Sequence, residues 1–250
     1  MYLIVIVSML LIVMTGCSGS NNAPLDPGDS KDGTGPVGFI YTAPADCYLV
    51  AQLASNMTDT AGMLQTQQQW TYFYSASGEP VAANAVSLNG NTLSVALGSQ
   101  GGNYDVSWNG AQQIWQVTGN NNVPSFADTI VAPGAIQIDE PDTRYDSVSA
   151  NGVTISYSGT AVDSVYLIVT YDRALSRRID STSSNATWSQ RFVRQNTGSI
   201  TLTANDLSGL PAKGLVRFEL YAPKYKSKVV AGKSIATIAY SVAYSMHYIK

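Results

Sequence analysis

The chain is poor in charge. Charged residues make up 12% of its 250 positions, and histidine occurs once, at His247. That charged share is about half of what globular proteins carry. A lone histidine excludes a multi-histidine metal centre. A Ser-His-Asp arrangement would have to use His247, and no Gly-x-Ser-x-Gly elbow accompanies it. Lys and Arg are missing altogether between Lys31 and Arg144, and the formal net charge is −3. With no basic stripe interleaved with aromatics, nucleic acid is excluded as a partner. Long apolar runs are missing too. Met1 to Met14 is apolar apart from Ser8, but a bilayer span needs about 20 such residues.

What that opening run does have is the length of a signal-peptide core. It ends in Met14-Thr15-Gly16-Cys17. This resembles the lipobox of bacterial lipoproteins, in which a small residue precedes a cysteine that takes lipid and becomes the new N-terminus. Met14 stands where that box usually has Leu. The resemblance implies a signal peptide over 1–16, lipidation of Cys17, and a membrane partner held through acyl chains. Each buried CH₂ of such a chain is worth about 0.8 kcal/mol, so two or three chains anchor firmly. Ser18, rather than Asp, follows the cysteine, which resembles outer-membrane sorting in a two-membrane cell. With Cys17 acylated, Cys47 has no partner, and a disulfide framework is excluded. Cys47 then reads as a small buried hydrophobe.

Residues 17–36 read as a tether of Ser, Asn, Gly, Pro and Asp, unable to bury a core. The acids Asp26, Asp29 and Asp32 are three apart, whereas EF-hand loops place theirs two apart. The remaining length suits two domains of about 100 residues each. Charge divides them: Val37 to Ala135 carries Asp46, Asp59, Glu79, Asp105 and Asp128 and no base, while the rest is net basic. The expected domains are 37–138 and 139–250.

Tyr, Thr, Val and Ile favour strands, and Gly and Asn favour turns, so the chain reads as all-β: two antiparallel β-sandwich domains. In the first domain, Asp46 to Ser55 fits either a strand or one short helix capped by Asp46. Trp70, Tyr72 and Tyr74 alternate with Thr71, Phe73 and Ser75. Asn89-Gly90 and Asn109-Gly110 signal type I′ hairpins. Trp108 and Trp115 read as core residues. Pro133 and Pro141 bracket the boundary.

In the second domain the pattern predicts strands at Gly152–Tyr157, Ser164–Tyr171, Thr187–Val193, Ser199–Thr203, Leu215–Tyr221, Ser227–Val230 and Ser234–Ile249. Val165 to Tyr171 is apolar on both faces and should be central. Asn205 to Pro211, ahead of Val216-Arg217-Phe218-Glu219-Leu220, resembles the E–F corner of fibronectin type III and related Ig-like sandwiches. That resemblance implies a binding or spacing module and carries over no functional residue. Lys224, Lys226 and Lys228 alternate along one strand face and read as protection of a sheet edge.

The remaining candidates are few. Gly98 to Gly102 is glycine-rich but lacks a phosphate-loop lysine. Asp139, Glu140, Asp142 and Asp146 form an acidic cluster that reads either as a calcium site or as a solvated linker neutralised by Arg144. His247 sits on the small, polar face of the last strand and reads as solvated. The face of Trp70, Tyr72 and Tyr74 is either core, with Thr71 and Ser75 outside, or an exposed platform for sugar rings. No catalytic residue, metal or cofactor is expected. The expectation is a lipid-anchored envelope protein without catalytic activity, serving adhesion, assembly or display. The alternative is a glycan-binding lipoprotein.

Overall fold

The computed structural model describes residues 50–59, 65–74, 80–96, 99–102, 111–142, 146–159 and 161–250. Cys17, the tether, Cys47 and Trp108 lie outside them. The chain forms two compact units, and each is discontinuous. One runs to Ala54 and takes Gln67–Ala132 and Lys224–Ala239; the other takes Ser55–Thr66, Pro133–Pro223 and Tyr240–Lys250. A linear division at 138/139 therefore misses that Lys224–Ala239 packs with the first unit.

Strands β1 (Val50–Asp59), β2 (Gln65–Tyr74), β3 (Pro80–Val81), β4 (Ala85–Leu88), β5 (Asn91–Thr92), β6 (Ser94–Ala96), β7 (Ser99–Gly102), β8 (Gln112–Thr118) and β9 (Phe126–Val131) come first. β1 resolves the strand-or-helix ambiguity for Val50 to Ser55 in favour of strand. A four-stranded sheet has the order β5-β4-β8-β9, while β1, β2, β7 and β6 are successive neighbours and β3 pairs with β2. Asn89 and Gly90 have φ of 51° and 83°, and Leu88 pairs with Asn91 across them. This is the two-residue type I′ turn that Asn-Gly predicts, because both positions need positive φ. β8 alternates strictly: Gln113, Trp115 and Val117 are buried and their neighbours exposed. Trp115 and Val117 join Phe73, Val86, Leu88, Leu93 and Ile130 in the core, together with Ile235 and Ala239.

The second unit contains β10 (Gln137–Glu140), β11 (Ser147–Val148), β12 (Gly152–Ser158), β13 (Ser164–Tyr171), α1 (Arg173–Ile179), β14 (Ser189–Gln195) and β15 (Ser199–Thr203). Two strands of 17 residues follow, β16 (Gly214–Val230) and β17 (Lys233–Ile249). Their segments Gly214–Pro223 and Tyr240–Ile249 belong to this unit. One sheet is β10-β12-β15; in the other, β14, β13, β16 and β17 are successive neighbours, and β11 lies parallel along β17. The two layers share one core, with Ile155, Ile200 and Leu202 from one and Leu167, Val169, Phe218 and Leu220 from the other. Strand order and shared core are those of an Ig-like or fibronectin type III sandwich. β13 is flanked by β14 and β16 and buried on both faces, as its apolar run predicts.

The predicted corner joins the two layers. Asp206 accepts hydrogen bonds from the backbone N and the hydroxyl of Thr203, both at 2.8 Å. Leu207 is buried, and the indole Nε1 of Trp188 donates to the Ser208 carbonyl at 3.0 Å. These bonds satisfy the turn while Leu207 enters the core and Leu210 packs against it.

Two features depart from the sequence pattern. That pattern ends one strand at Tyr221 and begins another at Ser227. β16 instead runs through Pro223 to Val230. Among the described residues the one helix lies in the second unit: α1 has only seven residues, capped by Asp172, whose side chain accepts from Leu175 N, with Arg177 and Arg178 in its last turn. Ser176 docks it, its hydroxyl donating to the Asp172 carbonyl at 2.5 Å and accepting from Leu215 N at 2.8 Å.

Candidate functional site

The densest polar constellation among the described residues centres on Asp128. It lies on the outermost strand of the four-stranded sheet, opposite Trp115, and its residue is 8% exposed. Alternation turns Asp128 and Ile130 inward and Ala127, Thr129 and Val131 outward. The carboxylate meets partners from the β16–β17 segment of the same unit. Lys226 Nζ is 2.6 Å and Lys228 Nζ 3.3 Å from its Oδ1. Thr237 Oγ1 donates to Oδ2, and the Thr129 backbone N donates to Oδ1 at 3.0 Å.

Burial opposes ionisation of Asp128, but the bonds from Lys226 and Thr237 and the charges of Lys228 and Lys226 win, holding its pKa below the usual value. The group is a carboxylate at neutral pH. Its lysines do a second job. Lys226 donates to the Thr129 carbonyl, Lys228 to the Ala127 carbonyl at 2.5 Å, and Lys233 to the Asn122 carbonyl. Lys228 also lies 5.3 Å above the Phe126 ring. Outward carbonyls of an edge strand template unwanted pairing, and here ammonium groups occupy them. The arrangement is a closed ionic clasp. It presents neither a nucleophile beside a base nor an open coordination position.

Sequence reasoning missed Asp128, although the signal was present. The stretch Val37 to Ala135 holds five acids and no base. Its counter-charges come from Lys224, Lys226, Lys228 and Lys233, which a linear domain boundary assigns elsewhere.

A second cluster lies on the face of β16 turned away from the sandwich core. Arg217 Nε is 2.9 Å from Glu219 Oε1, and Tyr221 OH donates to Glu219 Oε2 at 3.1 Å. The Tyr221 ring stands 5.7 Å from that of Tyr240. Burial, reinforced by Glu219, pushes the Tyr221 phenol well above its usual pKa. A third pair, Asp180 with Lys213, is surface-exposed and joined by Thr182. The hydrogen bonds from Lys213 and Thr182 hold the Asp180 pKa well below the usual carboxylate range.

The remaining sequence candidates divide as follows. Cys17 lies outside the described residues, as do the side chains of Trp70, Tyr72 and Tyr74. In β2 those three positions alternate with Gln69, Thr71 and Phe73, all of which are buried. Thr71 is thus interior, not on an outer face. At backbone level Trp70 pairs with Gly101 and Tyr72 with Ser99. Among the described residues no three His, Cys, Asp or Glu side chains group to hold a metal. The acidic cluster does not converge on a calcium site; Asp139 accepts from the Ser158 hydroxyl at 2.9 Å instead.

His247 is the clearest correction. It is fully buried, not solvated. In the last part of β17, Ala243, Ser245, His247 and Ile249 face inward, while Tyr244, Met246 and Tyr248 stay half-exposed. Small side chains on that face leave room for Phe218, whose ring centroid lies 5.6 Å from the imidazole.

No protein-family model matches the chain, and no curated protein matches it in sequence. Among solved structures it is similar to the N-terminal four Ig domains of Dscam1 isoform 8.4, with 13% identity over 76% of this chain and a TM-score of 0.15. The chain covers 43% of that one. The Ig-like assignment of the second unit rests on its strand order and shared core.

Proposed function

We propose that this chain is a lipid-anchored cell-envelope protein without catalytic activity, whose β-sandwich surfaces serve adhesion, assembly or display. The observation that supports this reading is the closure of three ionic clusters among the described residues. Asp128 is spent on Lys226, Lys228 and Thr237, Glu219 on Arg217 and Tyr221, and Asp180 on Lys213 and Thr182. Groups arranged in this way fix strands and loops, whereas catalysis needs an acid, base or nucleophile held open to a substrate. The anchor is the lipobox-like Met14–Cys17, followed by a spacer that lets the folded part stand off a membrane. Growth with labelled palmitate tests it: label enters the wild-type protein and is lost in Cys17→Ser. Label retained by Cys17→Ser removes the anchor from the reading.

A second reading is glycan binding by Trp70, Tyr72 and Tyr74. It is favoured by the alternation of these three positions along β2 with the buried Gln69, Thr71 and Phe73. Neutral glycans stack on such rings without needing base. Binding on a glycan array that disappears in a folded Trp70→Ala variant supports it; an array without signal discards it.

A further inference from the structure

We propose that His247 is an acid-sensitive fastener, whose protonation releases the short strap Asp146–Ala150 from the C-terminal end of β17.

The strap is held at three backbone points. Tyr248 N donates to the Asp146 carbonyl at 2.9 Å, Lys250 N to the Val148 carbonyl at 2.9 Å, and Ala150 N to the Lys250 carbonyl at 3.3 Å. The pairing is parallel and only two residues long, Ser147 with Tyr248 and Val148 with Ile249. Such a contact has few bonds to lose. His247 sits at its base with its side chain fully buried. One face of the ring is taken by Phe218, and neither ring nitrogen has a hydrogen-bond partner among the described residues. Neutral imidazole tolerates this site; imidazolium would be a buried charge with the Asp146 backbone carbonyl as its near acceptor.

The charged groups near the ring come from the strap side. They are the carboxylates Asp142 and Asp146, while β16 offers only the Phe218 ring. Burial is the largest influence and lowers the His247 pKa. The Asp146 backbone carbonyl and the two carboxylates oppose it without prevailing. The sign follows. The strap-open form takes up a proton at the ordinary value near 6.5 and the closed form only at lower pH. Closure is therefore complete above the ordinary value and is lost as pH falls from there through the closed-state value. Opening brings the imidazolium to water, which satisfies both of its N–H donors.

Because the chain has one histidine, the test is clean. Amide hydrogen exchange of the whole chain, corrected for the intrinsic pH effect, is compared at pH 7.5 and pH 5. The expected result is a several-fold loss of protection at Tyr248, Lys250 and Ala150 in the wild type. Leu167 and Val169 should keep theirs, and His247→Phe should show no loss at the strap. Equal acid loss in His247→Phe overturns the proposal. Should that variant fail to fold, the wild-type imidazole titration decides by NMR. A value below the ordinary one, together with loss at the strap amides, supports the fastener. An ordinary value, or strap protection unchanged by acid, overturns it.

Discussion

Lys226 Nζ lies 2.6 Å from Asp128 Oδ1, binding a strand from late in the chain to the edge of the four-stranded sheet. The carboxylate is buried and the lysine 43% exposed, so the two ends of this pair differ in energetic weight. Removing the buried charge strands two ammonium groups, whereas removing one exposed ammonium leaves the other in place.

Asp128→Asn should therefore destabilise the fold by about 1–3 kcal/mol, read from the urea midpoint. Lys226→Met should cost under about 1 kcal/mol, since Lys228 remains 3.3 Å from the same oxygen. A larger loss for Lys226→Met than for Asp128→Asn would contradict the clasp.

The same clasp sets an acid limit. Its carboxylate has a folded pKa below the usual 3.8. Its contribution is thus present above the unfolded value and disappears as pH falls through the lower, folded one. Wild-type stability should drop more steeply than that of Asp128→Asn below about pH 4, in thermal melts taken across that range.

Gly214 and Gly90 both have positive φ, at 129° and 83°. A Cβ at Gly214 would lie 2.6 Å from Tyr171 OH and 2.7 Å from Ser176 Oγ, and one at Gly90 would meet nothing within 4 Å. Gly90→Ala should cost about 1 kcal/mol for the backbone alone, and Gly214→Ala more, about 2–4 kcal/mol, because the buried Tyr171 and Ser176 must also move. Chemical denaturation of the two variants checks the order.

Ser176→Ala should cost about 1–2 kcal/mol by leaving Leu215 N unpaired inside the fold. Ser176→Thr keeps the hydroxyl and should cost less, which separates the lost bond from a general disturbance of α1.

Local pattern was legible wherever one strand settled its own geometry. Ser164–Tyr171 and Ser199–Thr203 match the pattern residue for residue, because a doubly buried run and a strict alternation each have one solution. The Asn89-Gly90 turn is similar, since few other dipeptides accept positive φ twice. Illegible features depended on partners distant in sequence. Ser227–Val230 reads as a separate strand, whereas it is the far end of β16, which runs unbroken from Gly214. His247 looks solvated until Phe218 fills the space that Ala243 and Ser245 leave. The Asp128 clasp needed the knowledge that Lys224–Ala239 packs with the first unit. The helix had its cap in Asp172, but seven residues give little periodicity to read.

The proposed lipid anchor at Cys17 is tested most directly by mass spectrometry of the protein extracted with detergent from its native membranes. The predicted result is a mature chain that begins at Cys17, lacks residues 1–16, and carries diacylglycerol on the sulfur. A chain that retains Met1 to Gly16, or begins at an unmodified Cys17, would contradict it.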